Sequence, residues 1–167
     1  RFPRHKTSPR SNHGNQMDER LAEEILKAHA PGESAERVEP LLKGYSNDRK
    51  FVVWCAGAPR FLLRLSEPES VERRREECRI LGILHGRGVR CPRPFGAGLT
   101  PDGASSYSLV EYIIGDDAEE ALPRLSKDAQ YELGRDAGRE LWVIHQFEGE
   151  ETHEAWLKRR TRKLRRR

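Results

Sequence analysis

Cysteine, aromatic residues and long apolar runs are all scarce in this sequence. Its three cysteines, Cys55, Cys78 and Cys91, include no Cys-x-x-Cys pair, which argues against a disulfide framework and against a zinc site. No apolar run approaches the roughly 18–20 residues that a membrane-spanning helix needs, and the N-terminus lacks the apolar stretch of a secretory signal. Together these absences predict a cytoplasmic protein with reduced thiols.

Charge is distributed unevenly along the chain. The 167 residues carry a net charge of +4, but basic residues concentrate at the two ends, in residues 1–16 and in the tail KRRTRKLRRR, residues 158–167. The segment between these ends is acidic overall. A nucleic-acid-binding domain usually carries its basic residues as a patch on a folded face, so nucleic acid is not the expected partner. Salt-dependent attraction of the basic tail to an anionic polymer stays open as an alternative function.

The N-terminal residues predict a change from disorder to helix. Residues 1–16 are polar and show no periodicity, which is typical of a disordered extension. Met17 is the only methionine and precedes DERLAEEILKAHA, an amphipathic helix pattern that Pro31 and Gly32 end. We interpret Met17 as the natural start of the protein.

The middle of the chain alternates between strand and helix patterns. A helix is predicted over about residues 70–85, before the helix-stopping Gly86 and Gly88. Short apolar and β-branched runs predict strands before and after it, over residues 38–42, 51–55, 61–65, 95–99 and 107–114. This order predicts an α+β fold, with an antiparallel sheet and a helix on one face. From residue 115 the pattern becomes helical, and one helix begins near Ser126.

Five blocks of sequence occur in an order that resembles a known family. They are LLKGYSND, FLLRL, RREECRILGILHGRGVRCPRP, YSLVEYIIGDDAEEALPRLS and ELGRDAGRELWVIH. Together they resemble the aminoglycoside phosphotransferase and choline kinase-like family, which has a protein-kinase-like fold, over about residues 38–145. The resemblance implies that residues 17–114 form the nucleotide-binding small lobe. Residues 115–167 would begin the helical large lobe and end in the basic tail.

The resemblance assigns phosphate-binding roles to three parts of the small lobe. Gly44, Tyr45 and Ser46 would form the turn over the phosphates, where a residue without a Cβ lets backbone N–H groups come close. Arg64 would take the place of the lysine that holds the α- and β-phosphates. Glu77 would pair with Arg64 and fix its position, with Glu76 as the rival in sequence.

The resemblance also assigns a base-binding role to the linker between the lobes. Val110 would lie behind the adenine. The backbone carbonyl of Glu111 and the N–H of Ile113, on either side of Tyr112, would read the base. The implied cofactor is ATP or GTP with Mg²⁺, and the implied partners are a nucleotide and, in a full-length form, a small-molecule hydroxyl acceptor.

The family's catalytic loop has no counterpart in this sequence. That loop reads His-Gly-Asp…Asn and supplies the catalytic Asp and a metal ligand. The two His-Gly pairs here, His13-Gly14 and His85-Gly86, are not followed by Asp. We therefore expect an N-terminal fragment without catalytic or metal-binding residues, which does not transfer phosphate alone. A full-length relative would phosphorylate a hydroxyl of an antibiotic or another small alcohol. A gene fragment without independent function is the remaining alternative.

Overall fold

The structure is a computed structural model that describes residues 12–44 and 46–147, with side chains from residue 18 onward. The chain divides into two compact units, Arg1–Ala118 and Glu119–Arg167. The boundary between residues 114 and 115, which the family resemblance implies, stays a prediction. The basic tail, residues 158–167, lies outside the described residues.

The first unit contains a five-stranded antiparallel sheet. Each predicted strand is present, with small shifts at the ends, and the spatial order is β1-β2-β3-β5-β4. The strands are β1 Arg37–Pro40, β2 Arg49–Cys55, β3 Ala58–Ser66, β4 Pro94–Leu99 and β5 Ser106–Glu111. In β3 the side chains of Phe61, Leu63 and Leu65 are buried, and those of Leu62 and Arg64 are half-buried. This is the alternation that a pleated strand imposes.

Residues 12–44 and 46–147 contain four α-helices. They are α1 Asn12–His29, α2 Val71–Gly86, α3 Ala118–Ala121 and α4 Lys127–His145. The Ser126 hydroxyl caps α4 by accepting a hydrogen bond from the Ala129 N–H at 3.2 Å, as predicted for a helix beginning there. One expectation is corrected. Because α1 begins at Asn12, residues 12–16 are helical rather than disordered.

Helix α1 covers one side of the sheet, which we call the outer face. Its buried side chains Ala22, Ile25, Leu26 and Ala30 pack into one core with strand residues. Those strand residues define the outer face: Val38, Phe51, Val53, Cys55, Phe61, Leu63, Leu65, Tyr107 and Leu109. At the end of α1, the His29 Nε2 lies 2.7 Å from the Tyr107 hydroxyl. The His29 ring lies against Gly96 so closely that a Cβ at residue 96 would overlap it.

Helix α2 packs on the opposite side of the sheet, the inner face, mainly against β4 and β5. Gly82 lies against Pro94, and the Cys78 thiol donates to the Gly96 carbonyl at 3.5 Å. The side chains that alternate with those of the outer face define the inner face: Lys50, Val52, Leu62, Arg64, Ser108 and Val110. Since α2 lies toward the β4 edge, the part of the inner face on β2 and β3 is where a site can form.

Within residues 12–44 and 46–147, no helix combines the length and the apolar character needed to cross a lipid bilayer.

Candidate functional site

Two rows of side chains cross the inner face. Val52, Leu62 and Val110 are opposite one another on three neighbouring strands and form the apolar row. Lys50, Arg64 and Ser108 are opposite one another in the same way and form the cationic row. Because the two rows are separated by two residues along each strand, they lie about 7 Å apart. The inner face thus presents an apolar surface beside a positively charged one.

The turn between β1 and β2 lies next to the cationic row. Gly44 has a φ of 114°, a conformation that favours glycine. The Lys50 ammonium donates to the Lys43 carbonyl at 2.7 Å, and a Cβ at Gly44 would lie 2.6 Å from Lys50 Nζ. Ser46 is exposed in this turn, and Tyr45 lies outside the described residues. The predicted phosphate turn is therefore fastened to the row that contains Arg64.

Arg64 occupies the centre of the cationic row. Its side chain is 35% exposed, and its Nε lies 3.7 Å from the Asp48 Oδ2. In the part of the chain that the structure describes, this is the only ion pair that Arg64 makes, so the Nη1 and Nη2 groups keep their donors for another acceptor. A guanidinium with two adjacent free donors is suited to a phosphate, which it can bind in a bidentate manner.

A second arginine, Arg74 of α2, is buried beside Arg64. Only 2% of its side chain is exposed, and its Nη2 lies 2.7 Å from the Asp48 Oδ2. Its Nη1 donates to the Glu77 carboxylate at 2.7 Å, and its Nε donates to the Ser66 hydroxyl at 3.0 Å. The same Ser66 hydroxyl donates to the Asp48 Oδ1 at 2.9 Å. Since a buried charge is costly unless paired, this arrangement ties α2 to the ends of β2 and β3.

The two carboxylates of this cluster favour their charged form. Burial acts to raise the pKa of Asp48, but the Ser66 hydroxyl and the Arg74 and Arg64 guanidiniums outweigh it and lower the pKa. Burial also acts to raise the pKa of Glu77, and hydrogen bonds from Arg73 and Arg74 lower it below its ordinary value. Both groups are therefore anions at neutral pH.

The expected pairing of Glu77 with Arg64 is corrected by the structure. Glu77 pairs instead with Arg73 at 2.8 Å and with Arg74 at 2.7 Å. Arg74 lies three residues before Glu77 on the same helix, where side chains are neighbours, so its guanidinium occupies the carboxylate that Arg64 was expected to bind. The rival residue, Glu76, is exposed and pairs with Arg79, so Glu77 is the carboxylate that belongs to the inner-face cluster.

The linker after β5 lies at the end of the apolar row. The Glu111 N–H donates to the Arg93 carbonyl at 2.8 Å, and the Tyr112 N–H donates to the Arg60 carbonyl at 2.9 Å. Ile113 is 57% exposed. Among the described residues, no hydrogen bond engages its N–H. The backbone donor that the family resemblance assigns to base recognition is thus without a hydrogen-bond partner among the described residues.

A sequence model described as the phosphotransferase enzyme family matches residues 37–167, which is more than half of the chain. The chain belongs to the phosphotransferase enzyme family. Its five-stranded antiparallel sheet with flanking helices fits the kinase-like small lobe. No curated protein matches the chain.

Phosphotransferases of this family generally use ATP and Mg²⁺. Within the described residues, no group of three or more His, Cys, Asp or Glu side chains could hold a metal ion. The carboxylates of Asp48 and Glu77 are both engaged by Arg74.

Sequence reasoning missed five residues of this site: Lys50, Val52, Leu62, Asp48 and Arg74. The first three follow from strand alternation, because they are one residue away from Phe51 or Phe61 and therefore lie on the opposite face of the sheet. Arg74 could have been found from its helical spacing to Cys78 and Leu81, which puts a charge on the buried side of α2. Its carboxylate partner Asp48, distant in sequence, carries no local signal.

Proposed function

We propose that the inner face of this phosphotransferase binds ATP, with the base over the apolar row and the phosphates at the cationic row. The observation that carries the proposal is the position of Arg64. It lies one row away from the apolar side chains and opposite Lys50, which contacts the glycine turn, and both of its Nη groups are free of partners among the described residues.

The base would be held by apolar contact and by the linker backbone. Val52 is 7% exposed although it lies outside the outer-face core, and Leu62 and Val110 beside it are half-buried. A flat base packed on these side chains would meet the free N–H of Ile113 and the carbonyl of Glu111. Backbone recognition of this kind accepts adenine or guanine, so GTP is the alternative nucleotide.

The phosphates would be held by Arg64 and by backbone N–H groups of the turn that contains Gly44 and Ser46. The Arg64 guanidinium would supply two parallel hydrogen bonds to one phosphate. The positive φ of Gly44 lets the turn approach the phosphates without a Cβ in the way. These residues bind and orient the nucleotide, and none of them exchanges a proton with it.

The proposed reaction is transfer of the γ-phosphate of ATP to a hydroxyl of an antibiotic or another small alcohol. The acceptor oxygen would form a bond to the γ-phosphorus as the bond to the bridging oxygen of ADP breaks, and the hydroxyl proton would pass to a general base. The sequence lacks a His-Gly-Asp motif, so we expect the 167-residue chain to bind nucleotide without turnover.

Titration calorimetry with MgATP, MgGTP and adenosine tests the proposal. Arg64→Ala should weaken MgATP binding by roughly 10- to 100-fold, the loss expected for hydrogen bonds to a charged group, and should leave adenosine binding unchanged. Arg49→Ala is the matched control, because Arg49 is an exposed arginine of β2 that pairs with Asp18 at 2.8 Å, opposite Leu65 of the outer face.

Two results would count against the proposal. The first is a folded wild-type protein that does not bind MgATP at millimolar concentration. The second is an equal loss of MgATP affinity in Arg64→Ala and Arg49→Ala, which would show that only the net charge of the protein matters.

A further inference from the structure

The contact between Arg64 and Asp48 is long and made through one atom. The Arg64 Nε lies 3.7 Å from the Asp48 Oδ2, beyond hydrogen-bond range. The contact is therefore an electrostatic attraction at Nε, and it leaves the two Nη groups without a partner among the described residues. Arg64 thus contacts Asp48 through Nε, while its two Nη groups stay available to a ligand.

Asp48 is itself held from two directions. Arg74 contacts its Oδ2 at 2.7 Å, and the Ser66 hydroxyl donates to its Oδ1 at 2.9 Å. The Asp48 side chain is only 15% exposed and the Arg74 side chain only 2%. Since each nitrogen of Arg74 already donates to Asp48, Ser66 or Glu77, Arg74 cannot turn toward a ligand and serves as a fixed support.

The charges of this cluster do not balance. Its guanidiniums belong to Arg64, Arg73 and Arg74, and its carboxylates belong to Asp48 and Glu77. Arg73 and Arg74 take the closest positions on Glu77 and Asp48. The excess positive charge therefore falls on Arg64, whose one contact is the longest of the group. An anion bound to the Arg64 Nη groups would neutralise it.

We propose that Asp48, fixed by Arg74 and Ser66, is the positioning residue that holds the Arg64 guanidinium ready for a nucleotide phosphate. The inference rests on the proposed function and goes beyond it, because it assigns to Asp48 the supporting role that Glu77 does not fill. Pre-orientation removes the cost of ordering a long, flexible side chain when the phosphate binds.

The test compares Asp48→Asn with a matched control, Asp18→Asn. Asp18 also pairs with an arginine of the sheet, Arg49, at 2.8 Å. Calorimetry measures the affinities for MgATP and adenosine, and NMR of the arginine Nε–Hε group measures the order of the Arg64 side chain without nucleotide. Asp48→Asn should weaken MgATP binding by roughly 3- to 100-fold, the range of coupling within one network. It should also disorder the Arg64 Nε–Hε group and leave adenosine affinity unchanged.

Further variants separate positioning from general damage. In an Arg64→Ala background, Asp48→Asn should cause no additional loss of MgATP affinity. If Asp48→Asn does not fold, Ser66→Ala keeps both charges and removes one support of Asp48, so it should weaken MgATP binding in the same direction by a smaller factor.

The outcomes distinguish this inference from the proposed function. An Arg64 Nε–Hε group that stays equally ordered in Asp48→Asn, or in Ser66→Ala where that is the variant that folds, overturns the positioning role. The role is also overturned if Asp48→Asn weakens MgATP binding by the same factor in the Arg64→Ala background as in the wild-type protein. Failure of the wild-type protein to bind MgATP overturns the proposed function, and the NMR signal still decides whether Asp48 orders Arg64.

Discussion

Two neighbouring arginines of α2 make ion pairs of equal length but differ in burial. Arg74 lies 2.7 Å from Glu77 with 2% of its side chain exposed, and Arg75 lies 2.7 Å from Glu72 with 54% exposed. Removing one partner of a buried pair costs about 3–5 kcal/mol, whereas an exposed pair contributes about 0–1 kcal/mol. We therefore expect Arg74→Ala to lower the free energy of unfolding several-fold more than Arg75→Ala.

The larger loss at Arg74 has two physical sources. Without the guanidinium, Asp48 keeps the Ser66 hydroxyl and the distant Arg64, so a largely buried carboxylate is left with poor compensation. The missing side chain also leaves a cavity between α2 and the sheet, which costs further stability. Neither effect applies to Arg75, because water replaces its contacts.

The same variant should change the response to acid. Asp48 and Glu77 have lowered pKa values in the folded protein. They therefore stabilise the fold above their unfolded pKa values of about 4, and this contribution is lost as the pH falls through the folded pKa values. Arg74 helps to lower both pKa values, so Arg74→Ala should lose less stability than the wild type between about pH 5 and pH 3.

Urea unfolding at several pH values measures both effects. Trp54 of β2 is a suitable fluorescence reporter, because it is half-buried and its indole N–H donates to Glu39 at 3.0 Å. The other two tryptophans, Trp142 and Trp156, would be replaced by Phe in every variant so that only Trp54 contributes to the signal. If Arg74→Ala and Arg75→Ala lower the unfolding free energy by the same amount, burial does not control the strength of these pairs and the reasoning is refuted.

Three further predictions concern the packing of α1 and the buried thiol. Gly96→Ala should destabilise the protein by about 1–3 kcal/mol, because the new Cβ overlaps the His29 ring; Gly86→Ala, with no atom near its Cβ, should change stability little in the same urea titration. Burial lowers the pKa of His29, so the unfolded state takes up the proton first, and stability should fall as the pH drops below about 6.5. His29→Gln should abolish that fall, and an unchanged pH profile would contradict the role of His29. Burial raises the pKa of Cys55 to about 11, so peptide mapping by mass spectrometry should find it unlabelled by a thiol reagent until urea is added; labelling in the native protein would show that the core opens.

The fold was predictable because each strand carries its own pattern. Phe61, Leu63 and Leu65 alternate with Leu62 and Arg64, and this alternation places Arg64 on the face opposite the core, where the structure has it. Helix starts were less predictable. Nothing in residues 12–16 has an apolar period, yet α1 begins at Asn12, because a helix can extend beyond its packed part at little cost once it has formed.

The family resemblance, and not the strand pattern, assigns Gly44 and the linker to the candidate site, and their roles stay predictions. The partners of charged residues were not predictable where several candidates compete. The pairing of Glu77 did not follow, because the sequence does not show that Arg74 lies closer to it than Arg64 does. Such a choice depends on distances across the sheet and on which cation is buried, and neither is encoded locally.

Gly96 is enclosed from both sides of the sheet, by the His29 ring of α1 and by the Cys78 thiol of α2. Substitutions at residues 29 and 96 therefore have to occur in a fixed order. A side chain can be accommodated at residue 96 only after residue 29 has become smaller or α1 has shifted. Among homologues, residues 29 and 96 should consequently vary as a pair rather than independently, although they are far apart in the chain.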